Sequence, residues 1–234
     1  MNRRIVALWL AYCSGTGLLV GALAQLSPQS WLSQPEWQPA QQERLLQYYG
    51  EAAAIRYRHW QQLVRDQQQQ PTRQQLQAVN QHLNQYQFHD DSLLWQQSNY
   101  WATPLEFIGR GGGDCEDFAL AKLVTLQQLG IPAEQLRLVY VKAETLNQHH
   151  MVLAWYASPS AEPLLLDNLN GQLLPASQRP DLTPIFSFSG QQLWRGSGSQ
   201  RLQDTPPLNL WQQFQQRRQL GQMRPLPSGL GATP

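Results

Sequence analysis

The spacing of hydrophobic and polar positions changes several times along the chain, and each change marks a different kind of element. After the positive segment Met1-Asn2-Arg3-Arg4, an apolar run extends from Ile5 to Ala24, broken only by Ser14, Gly15, Thr16 and Gly17. It closes on Ala22-Leu23-Ala24 before Gln25, the small-x-small pattern that a signal peptidase accepts. Residues 1–24 therefore read as an export signal cleaved after Ala24. The alternative is an uncleaved membrane anchor, because the run approaches the ~20 residues that span a bilayer. Both readings place the body of the protein outside the cytoplasm.

Residues 25–40 are polar, contain Pro28, Pro35 and Pro39, and read as a linker or surface arm. Helical spacing follows over 41–49 and 51–65, where Ala53, Tyr57, Trp60 and Val64 share a face. A Gln run ending at Pro71 breaks the pattern, and Thr72 to Gln85 resumes it with Leu76, Val79, Leu83 and Tyr86. These helices read as a packing layer, with His59 and His82 as surface or boundary residues. The stretch 89–110 is irregular and aromatic. Gly109-Arg110-Gly111-Gly112-Gly113 then leads into Asp114-Cys115-Glu116-Asp117 and a strongly apolar helix, Phe118 to Leu129, ended by Gly130-Ile131-Pro132.

Beyond it the pattern becomes that of strands: 136–141, 150–156, 164–167 and 185–188, with short polar connections that suggest antiparallel neighbours. Residues 196–234 form a Gln- and Pro-rich tail. Leu208 to Leu220 predicts one amphipathic helix in it, docking through Leu210, Trp211 and Phe214, and 225–234 is expected to be disordered. The expected architecture is α+β: N-terminal helices, a central helix carrying a cysteine, and an antiparallel sheet, in one domain over 41–195.

Composition narrows the function. In 234 residues, 17 Lys+Arg stand against 16 Asp+Glu, a net charge of +1 that lacks the basic excess of a nucleic-acid binder. Signal cleavage removes Arg3 and Arg4 and no acid, taking the net charge to −1. The two cysteines, Cys13 and Cys115, exclude a disulfide-rich scaffold and a cysteine-based zinc cluster. Cleavage also removes Cys13, leaving Cys115 as a lone thiol in a compartment where thiols are normally paired or absent. The many Gln suggest no mechanism.

The surroundings of Cys115 point to nucleophilic chemistry. It follows a Gly-rich loop, where backbone amides can approach a substrate unobstructed. It also opens a helix, whose positive end favours the thiolate. His150 begins one strand and Asp167 ends the next, so the two can lie side by side facing the helix start. A thiol attacking a carbonyl needs a base, and the base needs an acceptor to fix its tautomer. Cys115, His150 and Asp167 fill those roles. The Cys115 amide would serve an oxyanion hole, with Asn99 and the Trp101 indole as candidates for the second donor. Asp114, Glu116 and Asp117 oppose ionisation of the thiol. They read either as a helix N-cap with an acidic first turn or as a hard-oxygen site for Ca²⁺.

The segments Thr103-Pro104-Leu105-Glu106-Phe107-Ile108-Gly109-Arg110-Gly111-Gly112-Gly113-Asp114-Cys115-Glu116-Asp117-Phe118-Ala119, His150-Met151-Val152-Leu153-Ala154 and Leu166-Asp167-Asn168-Leu169 resemble the bacterial transglutaminase-like cysteine peptidases, the LapG-type periplasmic adhesin proteases. The likeness runs from about Leu76 to Trp194 and does not cover the tail. It implies a papain-like, transglutaminase-like core and a catalytic triad of Cys115, His150 and Asp167. It also selects His150 over His149, since adjacent strand residues face opposite sides. It further implies calcium held by acids flanking the cysteine, Asp114 and Glu116, with Asp117 beside them. Its remaining implications are a large surface adhesin as substrate, cut near a small-residue site, and a sequestering partner, the periplasmic domain of an inner-membrane cyclic-di-GMP receptor. A transglutaminase or a cell-wall amidase could use the same triad.

Overall fold

The structure is a computed structural model that describes residues 34–190, 192–198, 201 and 209–226. The expected export signal, most of the linker and most of the segment expected to be disordered lie outside the described residues.

Three helices form the first layer: α1 (Pro39–Tyr49), α2 (Glu51–Gln67) and α3 (Thr72–Leu83). Proline at the start of α1 suits a first turn, where its missing N–H has no acceptor to serve. Gly50, at φ 84°, turns the chain from α1 into α2. The expected stripes are the buried ones: Ala53, Tyr57, Trp60 and Val64 on α2, and Leu76, Val79 and Leu83 on α3. The end of the expected linker is anchored. Trp37 is buried, stacks on Trp60 at 5.6 Å, and donates its indole N–H to Gln128 Oε1 at 3.1 Å.

The aromatic stretch contains β1 (Gln87–Phe88), a turn of helix α4 (Asp91–Leu94) and α5 (Pro104–Arg110). A reciprocal capping box between Thr103 and Glu106 starts α5. Then β2 (Gly112–Gly113) pairs in parallel with β1 and delivers the chain to α6 (Cys115–Gln128). No residue of α6 is exposed. The glycines of β2 serve this internal packing rather than open access for substrate. A Cβ on Gly112 would run into the Gln87 carbonyl, and one on Gly113 into the Asp117 carboxylate.

The sheet comprises β3 (Leu136–Ala143), β4 (Gln148–Trp155), β5 (Leu164–Leu166), β6 (Leu174–Pro175), β7 (Leu182–Ser189) and β8 (Gln192–Arg195). Its order is β6-β5-β4-β3-β7-β8, antiparallel throughout. β7 crosses back to pair with β3, a non-sequential contact that local spacing does not reveal. Period-two alternation gives each face its own apolar set. Leu138, Met151, Leu153 and Leu166 join the helical core, while Val139, Val141, Val152 and Ala154 form a second cluster. No helix among the described residues is long and apolar enough to cross a membrane.

The tail helix α7 (Asn209–Gln219) belongs to this core through buried Trp211 and Phe214. The Trp211 ring meets Phe188 edge-on at 5.7 Å. Arg217 donates to the buried Glu106 carboxylate at 3.0 Å, to the Trp101 carbonyl at 2.6 Å and to the Tyr100 hydroxyl. Breaking a buried ion pair from one side costs about 3–5 kcal/mol, because the other charge stays behind. Arg217→Met is expected to fall near the low end of that range, since Arg217 is one-fifth exposed. Urea unfolding at neutral pH measures it, and an unchanged midpoint would show that the Arg217–Glu106 pair contributes nothing to stability.

Candidate active site

Cys115 is the first residue of α6 and only partly buried. Asp114 occupies the N-cap position, but its side chain makes no capping hydrogen bond. The thiol donates to Glu116 Oε2 at 2.8 Å, and the Met151 backbone N–H points at the sulfur. Burial, reinforced by the Glu116 and Asp114 carboxylates, pushes the thiol well above its ordinary value, against the Met151 amide. In this arrangement burial and the acids act against the helix dipole that the sequence led us to expect would favour the thiolate.

Next to Met151 stands His150, 2% exposed, on β4. Its Nε2 lies 2.7 Å from Asp167 Oδ1. Asp167 sits immediately after β5, and β5 pairs with β4 from Leu166 opposite Leu153, so the hairpin register brings the two side chains together. With Nε2 committed to Asp167, Nδ1 is the ring nitrogen left for a reacting group. His149 is exposed and packs on the Tyr140 ring at 5.1 Å, on the other side of the strand.

Asp167 is held from several directions. It accepts from the Leu169 amide at 2.9 Å and from Arg179 Nη2 at 2.7 Å, and Arg179 is shared with Asp181 at 2.7 Å. Asn84, just after α3, donates to the Asp167 carbonyl at 2.7 Å. Burial alone would raise the Asp167 carboxyl. The hydrogen bond and charge of His150, with the Leu169 amide and Arg179, overcome this and lower it to about 2.

The acids beside the cysteine separate into two groups. Asp114 and Asp117 cluster with Asp91, and one ligand atom from each lies within 4.8 Å of the other two. Asp91 Oδ2 accepts from the Tyr100 amide at 2.5 Å, and Asp117 Oδ1 from the Ala102 amide at 2.6 Å. The other oxygens, Asp91 Oδ1, Asp114 Oδ1 and Asp117 Oδ2, are buried without a hydrogen-bond partner. Burial and mutual repulsion raise Asp91 to about 6, Asp114 to about 10, and Asp117 well above its usual range. Three buried carboxylate oxygens without donors are a donor set for a hard cation such as Ca²⁺. Glu116 stands beside this cluster with its carboxylate engaged by the thiol.

An apolar groove of about 320 Å³ runs from Glu116 past Tyr140, Met151, Phe186 and Phe188. Asn99 and Trp101 both line it, and the Trp101 indole N–H is buried without a partner. Leu210, at the start of α7, closes one side.

The model of the family described as bacterial transglutaminase-like cysteine proteinase BTLCP matches residues 45–181. The chain belongs to this family. Among solved structures, calcium-bound LapG of Legionella pneumophila is 39% identical with a TM-score of 0.67, over 76% of this chain and 97% of that one. EGTA-treated LapG of the same organism is likewise 39% identical, with a TM-score of 0.68 over 76% and 96% of the two chains. No curated protein matches.

Three residues that the fold brings to this candidate site escaped the sequence reading. Asp91, Asn84 and Arg179 lie outside the motif segments, and only folding brings them to it. Arg179 has one local sign, the Arg179-Pro180-Asp181 pairing of opposite charges, which by itself marks nothing. Because Asp167 is lowered in the folded state, its contribution to stability is present above the ordinary carboxylate range. It is lost as pH falls toward about 2. The expected contribution is roughly 2 kcal/mol. Urea unfolding of the protein and of Asp167→Asn should show their stability difference shrinking between about pH 4 and pH 2. A difference that stays constant across that window would show that Asp167 is not ionised and paired as described.

Proposed function

We propose that this chain is a calcium-dependent periplasmic cysteine endopeptidase. It cleaves the N-terminal region of a large surface adhesin near an Ala-Ala-like site, releasing the adhesin and so controlling biofilm attachment. One juxtaposition carries the reading. The lone thiol of the described residues opens a buried helix beside the Met151 amide, and the next residue, His150, is locked to Asp167. Membership of a cysteine proteinase family supports peptide hydrolysis over amine transfer or cell-wall amidation.

In the reaction, His150 Nδ1 takes the Cys115 proton as Sγ attacks the scissile carbonyl. Glu116 must first give up its hydrogen bond to the thiol. Asp167 and Arg179 keep the ring in the tautomer that leaves Nδ1 able to accept, and the Asp167 charge stabilises the imidazolium that forms. The amide of Cys115, in the first turn of α6 where N–H groups lack helical acceptors, donates to the oxyanion. The Trp101 indole is the second donor we favour, because it is buried, unpartnered and in the groove. The imidazolium then protonates the leaving amine, and water attacking the thioester returns free enzyme.

Asp91, Asp114 and Asp117 would hold the metal, with Glu116 adjoining. Bound there, calcium supplies positive charge that neutralises the acids opposing the Cys115 thiolate. The calcium-bound LapG structure supports this assignment by similarity. The periplasmic domain of an inner-membrane cyclic-di-GMP receptor is the partner we assign as its sequestering regulator.

The test uses purified protein and the N-terminal fragment of a co-encoded adhesin, with and without a calcium chelator. Cleavage is expected only with calcium, to vanish in Cys115→Ala, and to fall by about 10⁴-fold in Asp167→Asn. Cleavage that survives Cys115→Ala, or incorporation of an added amine in place of cleavage, would overturn the reading. Asp91→Asn is expected to weaken calcium binding about 10–100-fold by isothermal titration, removing a formal charge from the cluster. Unchanged affinity would remove Asp91 from the ligand set.

A further inference from the structure

A second cavity, of about 270 Å³, opens between α2, α3 and the turn that follows α5. Arg56, His59, His82, Tyr86 and Arg110 line it, and Gly111 closes one end. The sequence reading treated the two histidines as boundary residues, and neither takes part in the chemistry proposed above. Among the described lining residues there is no Asp or Glu.

The guanidinium of Arg56 is fixed in place. Its Nε donates to the Ile108 carbonyl at 2.8 Å and its Nη2 to the Gly109 carbonyl at 2.6 Å, closing the C-terminal end of α5. Gly111 lies against it: a Cβ there would sit 3.1 Å from Arg56 Cζ, and its φ of 75° already excludes most side chains. No described residue accepts a hydrogen bond from the remaining nitrogen, Nη1. Across the cavity His82 Nε2 is buried without a hydrogen-bond partner, its ring 6.1 Å from that of Tyr86. The cationic groups also disfavour one another. Burial lowers Arg110, Tyr49 opposes this and the neighbouring Arg56 adds to it, while burial and His59 both lower half-buried His82.

We propose that this cavity is a binding site for a compact oxyanion of the phosphate class. Two imidazoles alone would equally suit a transition metal, but two guanidiniums at the same cavity repel a cation and match the tetrahedral oxygens of a phosphate. A preoriented Arg, a second Arg and two imidazole rings around a small volume resemble a pocket for one multivalent anion, not a solvated charged face. The occupant would lie against Gly111 and Gln87, at the start of the strand pair that leads into Cys115.

The test is isothermal titration of the full protein, in a low-salt buffer free of phosphate, with inorganic phosphate and separately with glycerol phosphate. Saturable one-site binding is expected. Tighter binding of glycerol phosphate would identify a monoester as the source, and tighter binding of inorganic phosphate a free ion. His59→Glu changes an exposed residue of α2, so its melting temperature should be unchanged while phosphate affinity falls about tenfold or more. Arg56→Gln should lose binding as well. A chain that shows no saturable heat with either probe overturns the proposal. So does a His59→Glu variant that keeps wild-type affinity, or a protein that binds Zn²⁺ at these histidines and no phosphate.

Discussion

Helix α6 is enclosed on every side, and the rest of the molecule is arranged to make that tolerable. Its apolar residues face the α1–α3 layer on one side and the sheet on the other, so neither layer could bury its stripe without it. A helix with no solvent face must also satisfy its polar residues internally. Thr125 accepts from the Trp60 indole and Gln128 from that of Trp37. Lys122, fully buried with its ammonium unpartnered near the Phe118 ring, is lowered to about 7 by desolvation, against the pull of Asp167. The same enclosure fixes where the first turn of α6 emerges, between the β1–β2 pair and β4, and thereby which groups meet the thiol.

Tight packing explains how the acids around Cys115 coexist. Asp117 is pinned by the Ala102 amide and Asp91 by the Tyr100 amide, so the aromatic stretch before α5 wraps the cluster and holds two of its three carboxylates by one oxygen each. The second oxygens are turned towards one another at a cost that no described protein donor offsets. Glu116, one residue along the helix, faces the groove and the sulfur instead. Neighbouring acids in the sequence thus point in two directions while still repelling one another, a division created by the step of about 100° between successive helical residues.

This division marks the limit of what the residues revealed before folding. The pairing of His150 with Asp167 was legible because both lie near the ends of adjacent strands, and the register of β4 with β5 does bring them together. The place of Cys115 at the start of α6 was legible from its Gly-rich approach. The stripes of α2 and α3 were legible because a 3.6-residue period survives in any helix that packs on one side. Asp91 and Arg179 were not, since nothing local distinguishes a carboxylate that will face two others or an arginine that will support a histidine's partner. The glycines of β2 were read for access when they serve contact. Spacing shows that a side chain is missing, and only the fold shows which neighbour fills the space.

The tail helix bears on the order of events in the cell. Glu106, buried at the start of α5, has its guanidinium partner in Arg217, 111 residues later. A chain synthesised from its N-terminus presents the cysteine-bearing half first, with that carboxylate's countercharge still to come. The N-terminal layer can therefore reach its final stability only after Arg217 has emerged. Completion of the groove waits as well, because Leu210 forms one of its sides. Synthesis from the N-terminus thus gives a chain of this design an interval in which Cys115 has emerged but the groove near it is still missing a wall.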